Sequence, residues 1–367
     1  MIRPGEEAEV ADAIRAASRP LAVGGGFTRG LAGDGERLSV AGLSGIVLHE
    51  PGALTLVARA GTPFREVEAR LAAEGQRLAF EPPDLRALLG TAGEPTIGGA
   101  VATNASGPRR VREGAARDAL LGCRFVDGTG AAVANGGRVM KNVTGLDLAR
   151  LMAGAHGTLG VLTEVALKVL PRPEAAVTLR LPGLDAARAV AALSEALASP
   201  VEATGAAWAG GDALLRVEGF SATLPERAGR LAALLRPWGR AEEAADPWGA
   251  IRDLRGFAGR AGDAWRLSLR PSEAPEALAL AGGEALLDWG GARAWVLVPP
   301  GTDLRGRLGR FGARAVLVRA ERATLAALGR FPPEAPAVAA LSRRLRERFD
   351  PRGVLNPGLM DSPGGGG

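Results

Sequence analysis

The chain has 367 residues, 47% of them hydrophobic and 23% charged, which is enough apolar material for one large domain or two ordinary ones and unlike a disordered chain. Its 45 basic and 40 acidic side chains give a net charge of +5, and the basic excess is almost all Arg dispersed among acids, which argues against a nucleic-acid role. One Cys, two widely separated His (His49 and His156) and two Lys outside any G-x-x-x-x-G-K-[ST] sequence exclude an internal disulfide, a cysteine-ligated iron–sulfur cluster, a structural zinc site, a histidine-rich metal centre and a Walker-type nucleotide site.

The first segment opens on an amphipathic helix: Val10, Ala13, Ile14 and Ala17 share one face, Glu6 and Glu7 stand at the dipole-favoured end, and Arg19-Pro20 stops it. Leu21 to Val23 reads as a short buried strand running into the glycine loop Gly24 to Gly30. Further strands are predicted at Ile46 to Leu48 and Leu54 to Ala60. Thr62-Pro63 starts a helix, with Thr62 as N-cap, Pro63 at the first position, Val67 and Leu71 buried, and Gly75 at its end. Glu81 to Asp84 is a rigid turn, and Thr96 to Gly99 starts another helix. Leu120 to Val126 is a strand closed by the hairpin turn Asp127 to Gly130. Gly136 to Gly145 is a third glycine-flanked segment, and a strong strand runs from Val161 to Leu170. Pro171-Arg172-Pro173 marks a domain boundary.

The second half is richer in Ala and Leu. A strand near Leu179, a helix over Asp185–Ala198, strands near Glu202–Trp208 and Ala213–Glu218 and a helix over Thr223–Leu235 predict a ferredoxin-like unit. Residues 236–264 carry no clear pattern. Strands near Trp265–Leu269, Trp295–Val298 and Ala315–Val318 complete a second sheet, and a final helix covers Ala337–Phe349. Residues 350–358 form an ordered turn, and the tail 362–367 reads as disordered. The polar N-terminus is unlike a secretory signal, and no run approaches the ~18 apolar residues of a membrane span. A cytoplasmic location is expected.

The glycine loops carry the chemistry. A Gly-rich turn after a strand lets successive N–H groups face one concavity, an anion nest suited to a pyrophosphate. In Gly24 to Gly30, Gly25 and Gly26 would supply positive φ, Thr28 a hydroxyl and Arg29 a charge; the G-x-G-x-x-G fingerprint fails because its sixth position is Arg29. Alone, this loop reads equally as a plain tight turn. At Thr96-Ile97-Gly98-Gly99 the free N–H groups of a helix start would favour a phosphate, and Gly98, Gly99 and Ala102 would allow close backbone approach. Asn104 to Gly107 is a polar turn. One extended ligand explains three separated glycine segments better than turns alone.

The order of these segments resembles the FAD-binding domain of the vanillyl-alcohol oxidase/p-cresol methylhydroxylase (PCMH-type) superfamily, and within it the FAD-binding E subunits of bacterial glycolate oxidases. The residues that carry the likeness are Gly25 to Arg29, Thr96 to Arg110, Gly114 to Gly130, Gly136 to Pro173 and Phe349 to Gly358. The resemblance implies an α+β protein: a two-subdomain PCMH-type FAD-binding domain over 1–173, an α+β cap over 174–336, and a segment 337–361 returning to the FAD domain. It implies that Gly25, Gly26, Phe27, Thr28 and Arg29 wrap the FAD pyrophosphate. Pro83, Asp84, Thr96, Ile97, Gly98 and Gly99 would line its other side, Ala102, Asn104 and Gly107 would approach the flavin, and Gly157, Gly160, Val161 and Leu162 would hold the cofactor by backbone contacts. Phe27, Leu146 and Ala155-His156 depart from the residues common in such subunits, which bears on the fit of the flavin. The first loop has neither His nor Cys, so FAD is expected to be held noncovalently, with Cys123 a buried structural thiol.

Oxidising a 2-hydroxy acid needs a base, a cation for the carboxylate and a flavin near the α-carbon. The second domain has no His and no Tyr. His49 reads as a surface or hairpin residue, His156 lies in the flavin segment, and Arg109-Arg110 is the candidate pair for a carboxylate, with a solvated or interface pair as the alternative. No catalytic residue is assigned. This poverty implies a division of labour, with a homologous FAD-linked catalytic subunit and an iron–sulfur subunit as partners, glycolate as the small 2-hydroxy acid, and membrane association at most peripheral, through the complex. A standalone FAD-dependent oxidoreductase and a flavin-fold scaffold without FAD are the alternatives.

Overall fold

The computed structural model describes residues 1–31, 33–137 and 146–361. The glycine segment beyond Gly137 and the tail 362–367 lie outside the described residues. The chain divides into two units. The first comprises Met1–Ser106, Gly114–Arg172 and Pro333–Asp361; the second comprises Gly107–Glu113 and Pro173–Pro332.

Among the described residues the first unit holds eight strands: β1 Leu21–Gly24, β2 Glu36–Ser39, β3 Ile46–Glu50, β4 Thr55–Arg59, β5 Gln76–Leu78, β6 Leu120–Val126, β7 Ala132–Gly136 and β8 Val161–Pro171. β1 and β2 pair in parallel, and the other six form an antiparallel sheet in the order β3-β4-β8-β6-β7, with β5 on β8. β8 is central and pairs on both sides, so its apolar residues are buried with little alternation, as expected where both faces are covered. The helix Glu7–Ala16 buries Val10, Ala11 and Ile14. These join Leu56, Phe80, Ile97, Phe125 and Leu167 in one core. Asp127 builds the expected hairpin turn, its Oδ1 accepting from Thr129 N at 2.8 Å and Ala131 N at 3.0 Å.

One capping expectation fails. The helix Phe64–Ala73 has Pro63, not Thr62, at its N-cap, without a side-chain cap. The Thr62 hydroxyl is committed elsewhere, donating to Arg59 O at 2.7 Å and accepting from Gly45 N at 3.0 Å. The strands β2, β5 and β7 and the helix Leu148–Met152 were not anticipated, being short and half exposed.

The chain end belongs to the first unit. After the helix Pro336–Phe349, Asp350 accepts from Leu355 N at 2.7 Å, Leu355 bridges in parallel to Leu21, and Asn356 N donates to Leu21 O at 2.9 Å.

The second unit is one eight-stranded antiparallel sheet: β9 Ala175–Leu181, β10 Gly205–Ala209, β11 Asp212–Gly219, β12 Glu242–Ala244, β13 Asp263–Ser268, β14 Glu284–Asp288, β15 Arg293–Val298 and β16 Arg314–Arg319. Its order is β12-β9-β11-β10-β14-β15-β13-β16. The chain runs strand–helix–strand–strand–helix–strand twice, and the halves meet along β10 and β14. The second of these passes was not anticipated. One sheet face lies under the helices, burying Leu215, Val217, Trp265, Leu267, Leu287 and Val296. The opposite face carries Ala207 and Leu214 under Trp248 and Ile251, which accounts for part of the unassigned stretch 236–264. Trp248 Nε1 donates to Thr178 Oγ1 at 2.9 Å, and the Arg216 guanidinium lies 4.8 Å from its ring centre.

Candidate active site

A cavity of about 80 Å³ opens in the first unit. Its walls come from the loop after β1, the short helix Ile97–Ala102 and the turn before β8. Of the expected residues, Gly25, Phe27, Thr28, Arg29, Thr96, Gly98, Gly99, Ala102, Gly157, Gly160, Val161 and Leu162 line it. Val23, Gly24, Leu31, Val40, Thr103 and His156 line it as well. Val40 and Leu31 carried no motif signal, since an apolar residue after a glycine loop reads simply as core.

The remaining expected residues do not line the cavity. The Gly26 backbone packs so tightly on the Gly93-Glu94 backbone that a Cβ there would fall 1.9 Å from Glu94 O. Asp84 forks onto Arg86, with Nε at 3.0 Å and Nη2 at 2.7 Å, and neither it nor Pro83 borders the cavity. Ile97 is fully buried in the core. Asn104 takes a left-handed φ of 46° and accepts from Arg117 N at 3.0 Å. Gly107 belongs to the second unit, where its carbonyl accepts from Trp289 Nε1 at 3.0 Å.

The glycines act differently from the expectation. Gly25 and Gly26 do not take positive φ; Phe27 does, at 54°, with Gly30 at 62°. Gly25 is required for contact instead, because a Cβ would lie 2.2 Å from Thr96 Oγ1. The Phe27 ring occupies the space beside Gly24, and the Arg37 guanidinium lies 5.1 Å from its centre. The N–H groups of Gly25, Gly26, Phe27 and Thr28 donate to no described acceptor, which leaves the loop the donor set an anion requires.

The helix start at Thr96 does not offer free donors. Ile97 N donates to Thr62 O at 3.0 Å, Gly98 N to Ala60 O at 2.8 Å, and Gly99 N to the capping Thr96 Oγ1 at 3.2 Å. The close packing of this helix on the end of β4 uses up the groups that would have bound a phosphate. Gly98 permits that packing, since its Cβ would meet Ala60 Cβ at 2.6 Å. The helix therefore contributes a wall without free donors, and the unclaimed N–H groups lie on the loop.

The third wall is pinned by the chain end. Asn356, buried and at φ 46°, accepts from Val23 N at 2.8 Å and donates to Val23 O at 3.2 Å and to His156 O at 2.9 Å. His156 itself has φ 53°, held by its N–H on Ala102 O at 2.9 Å, and Gly157 follows at φ 71°. These bonds fix both sides of the cavity mouth to one side chain.

The other candidates are structural. His49 accepts from Arg70 Nε at 3.2 Å and bonds Gln76 Oε1 at 2.9 Å. Cys123 is buried on β6, and burial first, with the charge of Asp147 adding, pushes its thiol up to about 12. Arg109 is paired, its Nη2 donating to Glu218 Oε1 at 2.6 Å and its Nε to Oε2 at 3.0 Å. Burial would raise the Glu218 carboxyl, but hydrogen bonds from Arg109 and Thr204 and the charge of Arg216 hold it down at about 2. Among the described residues no group of three or more His, Cys, Asp or Glu could hold a metal ion, and no helix is long and apolar enough to cross a membrane.

Residues 1–135 match the FAD binding domain family FAD_binding_4. Glycolate oxidase subunit GlcD of Bacillus subtilis is 39% identical over 100 residues, 27% of this chain and 20% of that protein. A solved alkyldihydroxyacetonephosphate synthase superposes with a TM-score of 0.70 at 16% identity, covering 97% of this chain and 76% of that one, which shows a shared fold. Glycolate oxidase subunit GlcE of Escherichia coli is 36% identical over 346 residues, 93% of this chain and 92% of that protein. A likeness that spans both units, on a fold with an FAD-binding domain at its start, leads to one conclusion: the chain belongs to the GlcE family of glycolate oxidase subunits, and its cofactor is FAD.

Proposed function

We propose that this chain is the FAD-binding subunit of a multi-component glycolate oxidase or dehydrogenase, which converts a 2-hydroxy acid to a 2-oxo acid, glycolate to glyoxylate. In this reading it binds FAD noncovalently and assists electron transfer. The near-complete likeness to GlcE carries the reading. Residues 1–173 form the PCMH-type FAD-binding domain, with its two subdomains. Residues 174–336 form a cap of two ferredoxin-like halves, and 337–361 return to the FAD domain. The 4-1-3-2 strand order of each half supports the assignment of the cap.

The loop Gly25 to Arg29 holds the pyrophosphate through its unclaimed N–H groups and the Arg29 charge. Thr96, Gly98, Gly99, Ala102, Gly157, Gly160, Val161 and Leu162 hold the rest through backbone and small apolar contacts. Gly26, Pro83, Asp84, Ile97 and Asn104 place those walls. When bound, the flavin supplies the electron acceptor; the protein orients it and keeps water out. His156 is the cavity-lining residue able to form a covalent bond to a flavin, so release of all flavin on denaturation is the expected sign of noncovalent binding.

The second unit supplies neither His nor Tyr, and the chain has one Cys. Substrate oxidation therefore falls to a homologous FAD-linked subunit and onward transfer to an iron–sulfur subunit, in a cytoplasmic complex peripheral to the inner membrane. Purification of the tagged chain from its own cell should bring down a second flavoprotein and an iron–sulfur protein. A flavin-loaded monomer that oxidises glycolate to a dye at full rate would overturn the subunit reading. A purified chain without a flavin absorption band would overturn the cofactor assignment.

A further inference from the structure

The face of the second unit's sheet away from its long helices carries two guanidiniums that make no ion pair or hydrogen bond to a described residue. Arg266 on β13 and Arg293 on β15 project from this face, because their neighbours Trp265, Leu267, Ala294 and Val296 fill the core under the helices. Ser268 lies opposite Arg293 and Arg266 opposite Trp295, so the two arginines are diagonal neighbours. Arg314, on β16, faces Ser268 from the other side. Trp289 stands at the edge of the group with φ 56°, the Arg293 guanidinium 3.9 Å and the Arg110 guanidinium 4.9 Å from its ring centre.

Neither Arg266 nor Arg293 makes an ion pair or hydrogen bond to a described residue, and Arg293 Nε is shut off from solvent with nothing to donate to. Asp288, opposite Arg293, offsets part of its charge while its Oδ1 accepts from Trp289 N at 2.8 Å, and Glu284 pairs with Arg260. Burial, and then the like charges of Arg314 and Arg110, push the Arg266 guanidinium down to about 10; burial and the charges of Arg266 and Arg110 push Arg293 down as well, against the opposing charge of Asp288. Two adjacent like charges that are partly out of water, one with a buried Nε that donates to nothing, are costly, and an anion seated between them would offset that cost.

We propose that this face holds a site for a small carboxylate, with Arg266 and Arg293 as its anchors and Trp289 as its wall. A planar carboxylate matches the forked guanidinium donors, and two forks on one face suit an acid with a second oxygen on the adjacent carbon, as in a 2-hydroxy or 2-oxo acid. The choice of acid rests on the glycolate reading; the anion site itself does not. It also replaces Arg109, already paired with Glu218, as the carboxylate-binding position expected from the sequence.

The test uses the full flavin-loaded chain and tryptophan fluorescence, since Trp289 and Trp295 border the site. Oxalate is the probe, with glycolate and glyoxylate in parallel and sulfate and phosphate at matched ionic strength. Saturable quenching by oxalate is expected, weakened at least ten-fold in Arg266→Met and in Arg293→Met, with flavin absorption unchanged. Without anion Arg266→Met should melt no lower than the parent chain, since it sheds a guanidinium that has no ion pair, and oxalate should raise the melting temperature of the parent alone. No saturable response from the loaded chain, equal affinity in both variants, or equal competition by sulfate and phosphate would overturn the proposal. Loss of flavin absorption would instead count against the cofactor reading, so the two failures are separable.

Discussion

Removing the Asn356 side chain should unfasten both edges of the cavity at once. Three hydrogen bonds tie it to Val23 N, Val23 O and His156 O, all within the first unit. At about 1 kcal/mol net for each neutral bond, Asn356→Gly loses about 3 kcal/mol, and the buried Val23 N–H left unsatisfied adds about 1 kcal/mol more. Glycine accepts the φ of 46°, so this variant isolates the hydrogen bonds. Asn356→Ala keeps a Cβ in the left-handed region without the polar side chain that makes Asn tolerant of it, and should lose at least as much. Urea unfolding of the first unit, followed by flavin release, reads the loss of stability, and titration of the apo chain with FAD reads the cavity. FAD affinity should fall at least about ten-fold in both variants, which is 1.4 kcal/mol of binding. An Asn356→Gly chain within 1 kcal/mol of the parent and with the same FAD affinity would refute the view that this side chain organises the site.

Gly98→Ala forces a methyl to within 2.6 Å of Ala60 Cβ and 2.7 Å of Ala60 O, and should cost about 1–3 kcal/mol and empty the purified chain of flavin; a normal flavin content per chain would show that the helix can shift. Glu218 contributes stability that is fully present above its unfolded value of 4.5 and drains away as pH falls toward 2, because its folded value is depressed. The span corresponds to at most about 3 kcal/mol, so Glu218→Gln should flatten the acid limb of the unfolding profile, and an unchanged limb would refute the assignment. Cys123 should resist alkylation at pH 8 in the native chain and react at once in denaturant, measured by mass; native labelling would contradict its burial.

Much of the fold is legible because local pattern and final environment agree. Val10 and Ile14 sit on one helix face and are buried there, and the apolar run from Val161 became the central strand. The glycine loops show where the difficulty lies. Their positions were readable, but whether a glycine serves φ or close approach depends on what lies opposite, and Thr96 and Glu94 are distant in sequence from Gly25 and Gly26. The donors at the Ile97 helix start were spent on Thr62 O and Ala60 O, partners that no local motif announces. Arginines present the same problem on a larger scale. Arg109-Arg110 looked like a pair because the two are adjacent, whereas Arg266 and Arg293 become neighbours only through strand register. The second strand–helix pass was missed because β14 and its flanking helices are short and Ala-rich.

The chain end at Leu355 and Asn356 sets a timetable for biosynthesis. Val23 waits through 333 residues for its side-chain partner, a loop whose closure costs about 5 kcal/mol of chain entropy if it is flexible. The second unit lies inside that loop and is synthesised whole before the partner leaves the ribosome, so its folding converts most of the loop into ordered structure first. The glycine loop is made long before the side chain that holds its strand. Cofactor loading is thereby deferred until Asn356 has been made, and a chain cut short before Asn356 carries the glycines of the cavity without the clasp that closes it.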